Sequence, residues 1–101
     1  MTAINYNQQE LTALRHSFYA VMSCIFKEKI EAKFGERFFI LYDFVENSSW
    51  IKNVFIYERN GDEVKLKYSY KLFDCKNAAE MNEILRTFNS DLDEILNKHI
   101  M

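Results

Sequence analysis

The dipeptide Asn60-Gly61 separates two runs of aromatic and branched residues, and it narrows the possible folds sharply. Because Asn-Gly tolerates the positive φ angles of a type I′ turn, the two runs are predicted to form an antiparallel hairpin. The first run covers residues 50–58, and the second alternates apolar and polar residues over 64–72. Such alternation is typical of a strand with one buried face, so we expect a sheet that packs on one side.

A third strand is predicted at residues 38–45, which share this composition and end at the polar segment 46–49. Counting both connections as tight loops sets Val45 opposite Trp50 and Tyr57 opposite Val64. This register predicts an inward face made of Phe38, Ile40, Tyr42, Phe44, Ile51, Phe55, Tyr57, Val64, Leu66, Tyr68, Tyr70 and Leu72. It predicts an outward apolar cluster made of Phe39, Leu41, Val45, Trp50, Val54 and Ile56.

Two helices are expected to cover the inward face. Asn7 and Glu10 have the spacing of a capping box, and apolar residues then recur at intervals of three and four. Gly35 is predicted to end this helix, because a left-handed glycine commonly follows a helix C-terminus. A second capping pattern at Asn77 and Glu80 begins a helix that runs nearly to the last residue.

The element order α-β-β-β-α predicts an α+β fold, a two-layer sandwich in which a three-stranded antiparallel meander packs against an N-terminal and a C-terminal helix. The chain has 101 residues, so a single α+β domain over residues 1–101 is expected. Hydrophobic residues make up 49% and there is no proline, which excludes a disordered or collagen-like chain.

The first ten residues lack the basic, apolar and small-residue order of a secretory signal, so a cytoplasmic location is predicted. No run approaches the ~18 apolar residues of a membrane span, so no membrane contact is expected. In a reducing cytosol Cys24 and Cys75 are expected to stay thiols.

Catalytic motifs are not found in the sequence. The two histidines, His16 and His99, have no second ligand at zinc spacing, and with glycine only at positions 35 and 61 no phosphate-binding loop exists. We therefore predict that the chain is not an enzyme and has no catalytic, cofactor-binding or metal-binding residue and no cofactor.

The outward cluster is the candidate binding surface, because an antiparallel sheet covered on one side normally shows polar residues on the other. Phe39, Leu41, Trp50, Val54 and Ile56 are the predicted anchors for a protein partner, with Lys65 and Lys67 beside them. Five residues, Phe39, Trp50, Lys65, Lys67 and Lys71, also suit stacked bases and phosphates of RNA, although a formal net charge of -2 makes nucleic acid the less favoured partner. A homodimer through the outward faces, or coverage by the chain itself, is the structural alternative.

The second helix supplies a second candidate surface. Its acidic residues Asp91, Asp93 and Glu94 are candidate contacts to a basic partner, such as a nuclease whose phosphate-binding cleft is to be blocked.

The chain resembles the small cytosolic immunity proteins that bacteria encode beside polymorphic or contact-dependent toxins. The resemblance rests on size, acidity and element order: the helix over residues 7–34, Phe38-Phe39-Ile40-Leu41-Tyr42, Trp50, Asn60-Gly61, Tyr68-Ser69-Tyr70 and the acidic closing helix. It implies a stoichiometric inhibitor that occludes a cognate toxin or nuclease without catalysis of its own. A phage-type inhibitor of a defence enzyme would have the same sequence properties.

Overall fold

The computed structural model describes residues 6–99, with side chains from Gln9 onward. Within that range the helices are α1 Tyr6–Phe26, α2 Ala32–Phe34 and α3 Ala78–His99. The strands are β1 Phe38–Phe44, β2 Ile51–Asn60 and β3 Glu63–Lys71, and they form an antiparallel sheet in the order β1-β2-β3. Apolar residues of α1, α3 and one sheet face share a single core, so the predicted α+β sandwich is confirmed.

A π-helical turn, Lys27–Glu31, connects α1 to α2. The apolar residues of this long helical segment recur every fourth position, at Phe18, Met22, Phe26, Ile30 and Phe34. A four-residue spacing drifts by about 40° per repeat around a regular α-helix. The wider π turn reduces that drift, and Ile30 consequently stays fully buried.

The helix ends agree with the sequence wherever side chains are described. Gly35 has a φ of 61° directly after α2, which supports the predicted stop, and a 3₁₀ turn Gly35–Arg37 then leads into β1. At the start of α3, the Asn77 side chain accepts the backbone N–H of Glu80 at 2.9 Å. The predicted cap at Asn7 concerns a side chain outside the described residues.

The sheet register differs from the predicted one because β-bulges interrupt both strand pairs. Phe44 faces Ile51 as predicted, but Lys52 is then an extra residue, so the next pair is Asp43 and Asn53. A shift of one residue exchanges the two faces of a strand. The rest of β2 is therefore reversed relative to the prediction.

The hairpin between β2 and β3 also departs from the prediction. Asn60 faces Glu63, so the two loop residues are Gly61 and Asp62 rather than Asn60 and Gly61. Positive φ occurs at Gly61 but not at Asp62, which is the pattern of a type II′ turn. A second bulge, at Lys67, exchanges the faces again, so that Tyr68 and Tyr70 point inward as predicted.

The observed inward face contains residues from all three strands. Lys65 lies on it at the hairpin end, and its part under the helices, most of which is buried in the core, consists of Phe38, Ile40, Tyr42, Phe44, Ile51, Val54, Ile56, Glu58, Tyr68, Tyr70 and Leu72. Phe55, Tyr57, Val64 and Leu66 were predicted to lie here and instead point outward.

Candidate functional site

The outer face of the sheet carries a group of apolar side chains that we call the outer-face patch. Its members are Phe39, Leu41, Phe55, Tyr57, Val64 and Leu66. Leu41, Val64 and Leu66 are 50%, 49% and 52% exposed. An apolar cluster does lie on the outward face, but only Phe39 and Leu41 belong to both the predicted and the observed set.

Aromatic contacts organise the centre of the outer-face patch. The rings of Phe39 and Tyr57 stack with centroids 5.2 Å apart and an interplanar angle of 14°. The Phe55 ring lies 6.4 Å from that of Tyr57, and the Arg59 guanidinium covers Phe39 at 5.1 Å. These contacts hold rings on neighbouring positions in place and leave them half-exposed.

Polar residues border the patch on the same face. Asp43 accepts a hydrogen bond from the Asn53 side chain at 2.9 Å, and Lys71 lies opposite Asn53 in the strand pairing. An apolar, aromatic centre with a polar border is the arrangement found at protein interfaces.

Val54 and Ile56 are wrongly predicted as binding anchors. Both are 0% exposed in the core, because the bulge at Lys52 turns them inward. A side chain with no accessible surface cannot contact a partner without unfolding the sheet.

Trp50 is half-buried against α1 and is not part of the outer-face patch. Its indole N–H donates to His16 Nε2 at 3.2 Å, and the Arg15 guanidinium lies 4.8 Å from its ring centroid. Because an indole N–H can only donate, His16 Nε2 is the acceptor, so Nδ1 carries the proton toward Ser49 Oγ at 3.3 Å. Trp50 therefore fixes the β1–β2 loop to the helix, contrary to its predicted role as an exposed anchor.

Lys65 and Lys67 also differ from the prediction. Lys65 lies opposite Glu58, which places it on the inward side of the sheet at the hairpin end. Lys67 is the bulged residue, and its ammonium is 3.5 Å from the Glu58 carboxylate. Of the predicted nucleic-acid platform, Trp50, Lys65 and Lys67 do not share a face with Phe39, whereas Lys71 does.

Glu58 is a buried carboxylate that the sequence did not single out, with only 7% of its surface exposed. Arg37 donates to it at 3.0 and 3.2 Å, and Lys67 lies on its other oxygen. Burial alone would raise the pKa of Glu58, but the two cations together hold the pKa of that carboxyl below its ordinary value of 4.5. The cluster links the turn before β1 to both strands of the hairpin.

The acidic residues of α3 lie on the helical layer, on the other side of the sheet from the outer-face patch. Asp91 accepts the Tyr70 hydroxyl at 2.7 Å, and burial together with this bond raises the pKa of Tyr70. Asp93 pairs with Lys29 at 3.0 Å and Glu94 with Lys98 at 3.1 Å. Each acid therefore has a partner within the chain, and contacts to a basic partner stay a prediction.

A groove of about 570 Å³ runs between α1 and β1, beside the free edge of the sheet. Tyr19, Ser23 and Phe26 form its helical wall, and Phe38, Ile40 and Tyr42 form its strand wall. The Tyr42 and Ser23 hydroxyl oxygens are 2.7 Å apart across it. In the described part of the chain, no three His, Cys, Asp or Glu side chains lie close enough to hold a metal ion.

Neither described long helix combines the length and apolar character needed to cross a membrane. Both Cys24, which is exposed, and Cys75, which is buried, are free thiols. Comparison of the chain with protein-family models, with curated proteins and with solved structures finds no match.

Proposed function

We propose that this chain is a non-catalytic inhibitor that binds a protein partner through the outer-face patch, as an immunity protein binds its toxin or nuclease. One observation carries the proposal: six apolar side chains share a sheet face that no described helix covers. Large exposed apolar surfaces on small soluble domains mark interaction sites.

The composition of the patch favours protein over nucleic acid. Interface centres are enriched in aromatic residues, and Tyr57 on the central strand contacts the rings of Phe39 and Phe55. Bases and phosphates require several cations beside the aromatic rings, but Lys65 and Lys67 lie on the inward side with Glu58, which leaves Arg59 and Lys71 on the outer face.

The outer-face patch and the acidic residues of α3 lie on opposite layers of the sandwich, so one flat contact cannot include both. The acids are already paired within the chain, whereas the patch has no described cover. We therefore assign the partner to the sheet face.

The test uses the product of the neighbouring reading frame as the probe partner. We expect that product to arrest bacterial growth when it is expressed alone, and co-expression of this chain to restore growth. Purified together, the two proteins are expected to form a stoichiometric complex. Growth arrest that this chain does not relieve contradicts the proposed function.

A matched pair of variants locates the surface. Tyr57→Ala is expected to weaken the complex by about 30-fold, the effect of removing a central aromatic residue from an interface. Tyr19→Ala is the control, because Tyr19 is 47% exposed but lies on α1, away from the patch. Equal affinities of the two variants would remove the outer face from the proposal.

A further inference from the structure

We propose that His16 is a pH-sensitive latch for Trp50: the neutral imidazole holds the indole against α1, and the protonated imidazole releases it. Neither residue belongs to the outer-face patch. The latch therefore goes beyond the proposed function and does not depend on it.

Both ring nitrogens of His16 are used by the loop between β1 and β2. The indole N–H of Trp50 donates to Nε2 at 3.2 Å, and Nδ1 lies 3.3 Å from Ser49 Oγ. The backbone bonds of the loop close it on itself, from the Val45 N–H to the Trp50 carbonyl at 2.8 Å and from the Ser48 N–H to the Val45 carbonyl at 3.0 Å. In the described part of the chain, the hydrogen bonds that join this loop to α1 all end on one imidazole.

Nε2 can accept the indole N–H only while His16 is neutral. Protonation makes both ring nitrogens donors, and an indole nitrogen can only donate. Two N–H groups would then face each other across the 3.2 Å that separates the nitrogens. The Ser49 bond persists, because Nδ1 donates to Oγ in both states. Protonation therefore removes the contact to Trp50 in particular.

The position of the imidazole on the indole also opposes a positive charge. The two rings meet edge-on, with centroids 5.7 Å apart and an interplanar angle of 74°. His16 lies at the N–H edge of the indole, where the ring quadrupole is positive, whereas cations are attracted to the face. The Arg15 guanidinium already covers a face of the ring at 4.8 Å. A protonated His16 would thus meet a positive edge beside a second cation.

No carboxylate offsets this charge. The charged or titratable groups on the elements that pack around His16 and Trp50 are Arg15 and Tyr19 on α1, Glu46 in the loop, Lys52 on β2 and Asp74 after β3. Among the described residues no acid forms an ion pair with His16. Arg15 donates to a backbone carbonyl, that of Cys75 at 3.0 Å, so its charge stays unneutralised beside the indole.

Release of Trp50 would change the surface at this end of the molecule. Tyr19 and Phe44 are 47% and 40% exposed, and they line a surface pocket of about 340 Å³ together with His16. A freed Trp50 would add a third accessible aromatic side chain beside them. Histidine is the side chain that changes its charge between about pH 8 and about pH 5, so we expect this aromatic surface to grow in mild acid.

The decisive experiment follows the accessibility of Trp50, which is the single tryptophan of the chain, by acrylamide quenching of its fluorescence. From about pH 8 to about pH 5 we expect the released fraction to rise about fivefold, the change that loss of one hydrogen bond produces, and the quenching constant to rise with it. Circular dichroism is expected to stay constant, because the helices and the sheet remain folded.

Three results overturn the latch. The first is an indole that is equally accessible to acrylamide at both pH values. The second is a fall in fluorescence intensity without greater access to acrylamide, since a protonated histidine that stays in contact quenches the indole without releasing it. The third is a rise in accessibility that accompanies a loss of circular dichroism, which would be unfolding of the whole domain.

Two histidine variants assign the transition. His16→Gln supplies a side-chain oxygen that can accept the indole N–H and does not titrate, so the quenching constant is expected to become independent of pH. His99→Gln is the matched control, because His99 lies at the end of α3 against Phe34 and Phe38, with ring centroids 5.8 and 5.6 Å apart. It is expected to keep the wild-type transition. A transition that persists in His16→Gln, or that disappears in His99→Gln, contradicts the assignment.

NMR of the ring nitrogens tests the tautomer on which the latch depends. At about pH 8 we expect His16 to carry its proton on Nδ1, with Nε2 free to accept the indole N–H. The proton on Nε2 instead would leave the Trp50 N–H without its acceptor and would overturn the latch.

Discussion

Adjacent residues of β2 lie in contrasting environments on the two faces of the sheet. Val54 and Ile56 are fully buried under the helices, whereas Phe55 and Tyr57 are half-exposed on the other side. Both faces are apolar, which is typical of a strand covered on both sides. The inward residues have their cover in α1 and α3, while no described helix covers the outward ones.

On β2, the residues that stabilise the fold therefore lie on one face and the residues that are accessible to other molecules lie on the opposite face. Branched aliphatic side chains occupy the inward positions at the centre of β2, where close packing determines stability. Aromatic side chains with a polar tip or a stacked neighbour fill the outward positions, where they tolerate water. Substitutions on the two faces are therefore expected to change different measurable quantities.

The largest expected effect is on the inward face. Ile56→Ala removes a fully buried side chain and is expected to reduce the free energy of unfolding by about 3 kcal/mol. Tyr57→Ala, one residue away, is expected to cost about 1 kcal/mol, because it loses a stacked contact and no enclosed packing. Urea unfolding followed by circular dichroism measures both values.

Equal losses in these two variants, or a larger loss for Tyr57→Ala, would show that the faces of β2 are assigned the wrong way round. Similar m-values in both variants are needed for the comparison, since m reports the surface exposed on unfolding.

A smaller effect is expected at Trp50, which was predicted to belong to the outer face and lies against α1 instead. Trp50→Ala removes the bond to His16 and the stacking of Arg15, and we expect a loss of about 2 kcal/mol in unfolding free energy. Phe73→Ala is the control. The Phe73 side chain is 52% exposed, and its ring also has a cation above it, the Lys52 ammonium at 5.9 Å. Unchanged stability in the Trp50 variant would return this residue to the list of binding candidates.

The sequence was sufficient to predict the architecture, because the capping at Asn77, the stop at Gly35 and the composition of the strands are local signals. Which residues of β2 point inward could not be predicted. Both faces of this strand are apolar, so the sequence contains no local sign of the bulge at Lys52. The pairing Phe44 to Ile51 was right, and the error began one residue later.

The clean alternation over residues 64–72 was misleading for a similar reason. The bulge at Lys67 divides that run, so Val64 and Leu66 point outward while Tyr68 and Tyr70 point inward. A buried acid on β2, Glu58, accompanies the bulged lysine, and the pair is recognisable only after the strands are aligned in three dimensions.

The smallest effect is expected at Glu58, the one charged side chain on the buried part of the inward face. Glu58→Gln keeps the shape but removes the charge that Arg37 and Lys67 share, so we expect a loss of about 1 kcal/mol at neutral pH. Both cations are partly exposed and can be hydrated in the variant, which limits the loss.

The pH dependence of stability gives this prediction its sharpest form. Because the pKa of Glu58 in the folded chain is below 4.5, its contribution is complete above that value and is lost as the pH falls through the folded pKa. In urea unfolding, wild type and Glu58→Gln are therefore expected to differ at about pH 7 and to converge as the pH falls below the folded pKa of Glu58. Glu63→Gln on the same hairpin is exposed and serves as the control, with a curve parallel to wild type. A difference between wild type and Glu58→Gln that persists undiminished in acid would mean that packing around the carboxyl, rather than its charge, joins the turn before β1 to the hairpin.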